Sequence, residues 1–528
     1  MHIVMVHGYF LKGTGSNLFV KNLCCELCKL GHRVSLFCQE TDVSDLDFIE
    51  NAFDFDKDNK IYELFHNKET QYEGKCTLFR PNLNGFLPVF VYDAYEGYKV
   101  KEFISCTQEE LEIYIQHNTN AINAALGGTS PDLVWTNHTI MQPNYVSRSN
   151  LAKSRCLHVM TVHGSCLNFA VRKSPLLTKY GLESVEKADK IAFVSEYSKN
   201  EFLEYFKYNN EIEKKSMVIP AGVDLGNFSP LAENESKIKY IEKLIQTLKK
   251  QISTQAENEN SWKTDKDIVD KLGKIDFENE KIILYYGKYL WTKGVQLIIE
   301  AAPLVLQVHP DARFILVGYG SSRTYFEALI EALDTGKKHE YLTLLKHPET
   351  FDASIDASIT QYHSVLIKRL QDSRFADKYF AGAFNNIRSK VVLTGFLSHE
   401  QLKVLIACSD ITVAPSIFSE AFGLVAVEAL SAGIIPMQTN HSGFTEVIKK
   451  YVYEFSDVFD KTQLNPLFLN ENLVLNMANN MNVLLSYYRR MNQKDRQSIR
   501  QRARKVSEIN YSWRSIAEQY LKLIPDGA

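Results

Sequence analysis

The chain has 528 residues, 45% of them hydrophobic and 12% aromatic, enough for more than one hydrophobic core. Sixty basic against 63 acidic side chains leave a formal charge of -3, which argues against a nucleic-acid partner or a strongly anionic membrane. The first 222 residues carry 23 basic and 27 acidic side chains, so that half is no basic docking surface either.

The chain begins with a strand-like HIVMVHG and not with a charged leader, and no apolar run approaches the ~20 residues that span a bilayer. Nine cysteines, odd in number and irregularly spaced in apolar segments, fit a reduced, cytoplasmic protein. Cys24, Cys25 and Cys28 lie within the helical pattern NLFVKNLCCELCKLGH with no partnering pair downstream. Core packing is therefore favoured over metal ligation.

In chain order, short apolar runs alternate with longer amphipathic ones, the pattern of parallel βαβ units. A first series contains HIVMVHG, a helix from about Ser16 to Leu30, RVSLFCQ, PDLVWTN, CLHVMTVHG and KIAFVSE. A second contains KIILYYGKY, a helix from Val295, ARFILVGYG, KVVLTGF, ITVAPS and GIIPMQT. The two series predict two doubly wound α/β domains, with a boundary near VIPAGVDLGNFSP, where Pro220, Gly222 and Pro230 punctuate the chain. Residues 41–130, which hold Tyr92, Tyr95 and Tyr98, form a long excursion. Residues 231–280 and 330–390 read as helical insertions.

Open α/β sheets bind ligands beyond the carboxyl ends of their strands, so the loops leaving strands are the candidate sites. In HGYFLKGTGSN, Gly13 and Gly15 let the backbone approach an anion at the start of a helix. A dinucleotide fingerprint with Glu40 as its acid is disfavoured, because its third glycine would fall on Leu18 and the gap from the strand is too long. A plain tight turn remains open. In TVHG, His163 stands at a strand's carboxyl edge. In YYGKYLWTKG, Lys288 and Lys293 flank a strand exit and could neutralise a diphosphate; solvated surface lysines are the alternative. SEAFGLVAVE supplies the amides of Phe422, Gly423 and Leu424 at a helix start. Read as helix throughout, it puts Glu420 and Glu428 on one stripe about 12 Å apart. That is too far for the carboxyl pair of a glycosidase, at ~5–9.5 Å, and it suits an elongated ligand.

Taken together, GTGSN, TVHG, FVSEYSKN, VIPAGVDLGNF, GKYLWTKG, LVGYG, LTGFLSHEQL, SEAFGLVAVEAL and NHSGFTEVI resemble, in order, the retaining glycosyltransferases of family 4. That family has the GT-B fold, two Rossmann-like domains facing a central cleft. The resemblance implies an acceptor-side domain of residues 1–222, completed by a returning C-terminal helix at 505–528, and a nucleotide-sugar domain of residues 223–504. It implies that Glu420 contacts the sugar, Glu428 the ribose, and the Phe422, Gly423 and Leu424 amides the sugar and phosphate. His163 would face the sugar from the first domain. Lys288, where the family usually has Arg, and Lys293 would stabilise the leaving diphosphate. Gly13, Gly15 and Gly287 would lie on the donor side, and Gly395 and Phe396 would border the base.

The implied activity is transfer of a hexose from a UDP- or GDP-linked donor, with retention and without a cofactor or essential divalent ion. The acceptor class is open: a sugar, a glycan, a lipid-linked or a small molecule, and peripheral membrane association is compatible. A nucleotide-sugar epimerase or hydrolase, or a non-catalytic sugar-nucleotide-binding module, is the alternative.

Overall fold

The computed structural model describes residues 1–13, 15–91, 95–154, 156–232, 235–254, 264–457 and 467–524. Contacts divide the chain into two units, Met1–Gly222 with Tyr511–Ala528, and Val223–Asn510. Among the described residues no helix is long and apolar enough to cross a membrane.

The first unit is built on β1 (His2–Val6), β2 (Arg33–Phe37), β3 (Ile49–Phe55), β4 (Ile61–Phe65), β5 (Lys75–Arg80), β6 (Phe86–Val89), β7 (Lys99–Glu102), β8 (Leu133–Asn137), β9 (Leu157–Val162), β10 (Lys190–Phe193) and β11 (Ser216–Val218). Nine of these form one sheet in the order β11-β10-β9-β8-β1-β2-β5-β3-β4, with β6 and β7 as a separate pair. Among the described residues of this unit, only β3 and β4 pair antiparallel. β1 and β8 are buried along their whole length, as strands covered by helices on both faces must be.

The segment 41–130 is thus more than an excursion. It adds β3, β4 and β5 to one edge of the sheet, and β5 pairs in parallel with β2 from Arg33↔Lys75 to Phe37↔Phe79. Its helix Gln108–Leu126 opens on a capping box in which Thr107 and Glu110 each bond the other's backbone amide. Tyr95 stacks on Phe10 with ring centroids 4.9 Å apart, and the Tyr98 hydroxyl donates to Gln39 Oε1 at 2.7 Å. Both aromatics serve packing, and Tyr92 lies outside the described residues.

The second unit carries β12 (Lys281–Tyr286), β13 (Ala312–Val317), β14 (Val391–Leu393), β15 (Ile411–Ala414) and β16 (Pro436–Gln438). They form an all-parallel sheet in the order β14-β13-β12-β15-β16. In the insertion at 231–280 the helix Lys237–Thr254 is the main element. In that at 330–390 a run of short helices packs beside the helix Val295–Leu306, around Tyr341, His363 and Tyr379, all fully buried.

The returning segment begins at Tyr511 and not at residue 505. The helix Gln493–Tyr511 is held to the second unit almost to its end, because the Arg504 guanidinium donates to the carbonyls of Leu225, Phe228 and Ser431 and the Ser507 hydroxyl to that of Val427. The final helix, Trp513–Leu521, packs on the first unit, with Trp513 against Phe19 and Tyr520 against Trp135.

Candidate active site

Parallel strands end together, so the loops after β12, β13, β14, β15 and β16 gather at one edge of the second sheet. After β12, Gly287 and Lys288 are exposed and Lys293 is half-buried on a short 3-10 turn. Lys293 Nζ donates to Glu420 Oε1 at 2.5 Å, joining the loop after β12 to the loop after β15. Glu420's own amide donates to Ser442 Oγ at 2.9 Å and its carbonyl accepts from the Gly443 amide at 2.9 Å, which adds the loop after β16.

Glu420 is not on a helix. The helix runs Leu424–Ser431, and Gly423 ahead of it has φ +112°, a left-handed backbone that a continuing helix cannot contain. A side chain at 423 would also meet the Phe444 ring at 2.3 Å. The single stripe of two acids is therefore replaced by a loop carboxylate, Glu420, and a helical one, Glu428. No side chain caps the start of this helix. Phe422 is buried with its ring in the core, so only its backbone is suited to meet a ligand.

Glu428 is 9% exposed. Burial pushes its carboxyl up to about 8, offset only in part by a hydrogen bond with Tyr286. The Tyr286 hydroxyl donates to the Val425 carbonyl at 2.6 Å within the same helix. The Gly395 carbonyl accepts from the Gly318 amide at 3.0 Å, and the Phe396 ring meets Tyr319 edge-on at 5.7 Å. Thr264, from the 231–280 insertion, bridges to Gly395 and donates its hydroxyl to the Phe396 carbonyl at 2.8 Å.

Three residues beside these escaped the sequence reading. Tyr285 donates to the Lys288 carbonyl at 2.9 Å, and burial, with Tyr289 and Glu420 nearby, keeps its hydroxyl protonated. His441 Nε2 donates to the Ser416 carbonyl at 2.8 Å; burial lowers its pKa against the opposing pull of that carbonyl and of Glu420. Ser442 has φ +49°, rare for a residue with a side chain. Both His441 and Ser442 lie in or beside NHSGFTEVI, where the segment itself was the available signal.

In the first unit, Gly13 has φ +97° and open space where a side chain would stand, and Gly15 is the first residue of the helix Gly15–Lys29. Glu40 is no ribose ligand: it is 1% exposed and accepts from the amides of Leu11, Thr41 and Asp42 at 2.9, 3.0 and 3.0 Å. Cys24 and Cys28 are buried on that same helix. His163, half-buried at the end of β9, contacts Asn137 Oδ1 through Nε2 at 2.9 Å. His138 lies 5.1 Å from it, ring to ring, and stacks at 6.3 Å on His7. Burial depresses all three, His7 to about 4 and His163 to about 3, so the cluster is neutral at ordinary pH.

Two doubly wound sheets, the first mainly and the second wholly parallel, with ligand-type loops at their carboxyl edges have the GT-B glycosyltransferase fold. A structure of Anabaena HepE in complex with UDP and glucose matches over 99% of this chain and 98% of its own, with a TM-score of 0.51 at 14% identity. Residues 270–359 and 383–505 match the family described as glycosyl transferases group 1. These stretches make up less than half of the chain, and it is that part which is similar to the group. MJ1607 of Methanocaldococcus jannaschii is 27% identical over 33% of this chain and 31% of its own length. YtcC of Bacillus subtilis (strain 168) is 23% identical over 64% of this chain and 62% of its own. Both relatives carry glycosyltransferase names, and the chain spans less than two thirds of either.

Proposed function

We propose that the protein transfers a hexose from a nucleotide-diphosphate sugar, UDP- or GDP-linked, to an acceptor hydroxyl with retention at the anomeric carbon. The observation that carries this reading is the meeting of Lys293, Glu420, Ser442 and the uncapped start of Leu424–Ser431 at one edge of the second sheet. When the sugar–phosphate bond breaks, negative charge grows on the leaving diphosphate. An ammonium group and oriented peptide amides stabilise charge where it develops. Exposed Lys288 adds a second cation on the same loop.

In the resting state Lys293 is paired with Glu420, so donor binding exchanges that carboxylate for phosphate, and Glu420 becomes available to sugar hydroxyls. His163 orients the transferred sugar as a neutral imidazole, and Glu428 holds the ribose. The two lysines and the helix terminus supply the positive field at the diphosphate, so an essential divalent ion has no required role. The UDP and glucose in HepE support a uridine donor as the first to be tried.

The test is release of free nucleotide from UDP- and GDP-sugars, with and without an acceptor panel and with and without EDTA. Turnover that depends on acceptor and survives EDTA is expected. Efficient hydrolysis or isomerisation without acceptor would assign the alternative chemistry. Glu420→Gln is expected to lower kcat by a factor of about 100 while the thermal unfolding midpoint stays unchanged, in line with loss of one group that acts on the transition state; an unchanged rate removes Glu420 from the mechanism.

A further inference from the structure

We infer that Asn137 is a positioning residue that sets the tautomer of His163 and leaves its Nδ1 as the acceptor for a hydroxyl of the sugar substrate. The inference rests on the reading that His163 meets that sugar.

Asn137 is fully buried, and its Nδ2 lies 3.2 Å from the Val6 carbonyl and 3.6 Å from the Met5 sulfur. A carbonyl only accepts, so the nitrogen of the amide faces Val6, and the oxygen, Oδ1, faces His163 at 2.9 Å. Oδ1 also only accepts. The proton on His163 therefore sits on Nε2, and Nδ1 carries the lone pair. Among the described residues no side chain or backbone group of the chain bonds Nδ1.

The titratable groups facing His163 are His7, at the end of β1, and His138, beyond the end of β8; Phe19 packs on its ring at 5.0 Å without charge. With His7 and His138 themselves neutral, no anion stabilises an imidazolium, and a neutral ring with a fixed lone pair accepts a hydroxyl hydrogen without taking up the proton.

Two variants and one spectroscopic measurement test this. Asn137→Asp keeps an acceptor opposite Nε2 but places a carboxylate there, which favours the imidazolium. The expected result is an acid limb of the kcat–pH profile moved up by one unit or more, with activity recovered above it. Asn137→Leu frees the tautomer and is expected to lower kcat by roughly tenfold, the worth of one hydrogen bond of about 1.4 kcal/mol, with no new acid limb. Long-range ¹⁵N–¹H spectra of the unmodified protein, with His163 assigned by its absence in His163→Ala, should show the proton on Nε2.

A proton on Nδ1, or pH profiles of both Asn137 variants that overlay the wild type at unchanged kcat, would overturn the inference. If His163→Ala itself retains full activity, the prior reading of His163 fails instead.

Discussion

The ribose contact proposed for Glu428 conflicts with its resting protonation state. Burial holds its carboxyl at about 8, so at pH 7 it is mostly protonated, whereas the hydroxyls of a ribose are best held by a carboxylate. Donor binding through that carboxylate must then release a proton. Calorimetry of UDP binding in two buffers of different ionisation enthalpy is expected to show that release at pH 7, with affinity rising up to about pH 8 and level above it. Glu428→Gln should bind more weakly and without proton release; equal proton release in the variant would detach Glu428 from the nucleotide. Because its native pKa is raised, the group's contribution to stability is full below the unfolded value and is lost as pH rises through about 8. The variant should therefore gain relative stability in alkaline buffer.

Much at this scale could be read directly from the residue order, and some could not. Lys293, Glu420 and the amides after Phe422 stood out because charge and glycine fall just past apolar runs. Tyr285 and His441 did not, because an aromatic inside a strand and a lone histidine look the same whether they pack or support a site. Only the fold reveals that Tyr285 reaches back to the Lys288 carbonyl.

Among the elements, the helix Leu424–Ser431 shows where helical periodicity misleads. SEAFGLVAVE carries no proline, and its spacing suits a continuous helix. What ends it is the left-handed Gly423, held by the close Phe444 ring, and the bonds from Glu420 to Ser442 and Gly443, more than twenty residues on. Such long-range contacts override local preference.

The insertion at 330–390 has its own determinant. His363 and Glu300 are both fully buried, with Nδ1 3.1 Å from each carboxylate oxygen and Nε2 3.0 Å from the Leu345 carbonyl. Carboxylate and carbonyl both accept, so both ring nitrogens carry protons. Burial opposes the charge, yet Glu300 and the carbonyl outweigh it and raise the His363 pKa. The pair's contribution is thus complete below the unfolded value of about 6.5 and is lost as pH climbs through the higher native value. His363→Leu leaves a buried carboxylate unpaired and is expected to cost roughly 3–5 kcal/mol in urea unfolding at pH 6. The cost should shrink by pH 9, and a cost independent of pH would contradict the charged pair.

Over the whole molecule, two parallel sheets were legible because each βαβ unit alternates a short apolar run with a longer amphipathic one. The three strands that 41–130 adds to the large sheet were not, since Lys75–Arg80 and its neighbours are short and half-polar and no α-helix separates them. The end of the second unit was placed early for a related reason. A long polar helix gives no sequence sign that the Arg504 guanidinium binds three carbonyls of that unit.

A nucleotide diphosphate bound at the carboxyl edge of β12–β16 is the central expectation for the whole molecule. A crystal structure of the protein soaked with UDP measures this most directly. The expected result places the β-phosphate within hydrogen-bonding distance of Lys293 Nζ and the Gly423 and Leu424 amides, with Glu420 released from the lysine. UDP bound elsewhere on the chain, with the Lys293–Glu420 pair intact, would contradict it.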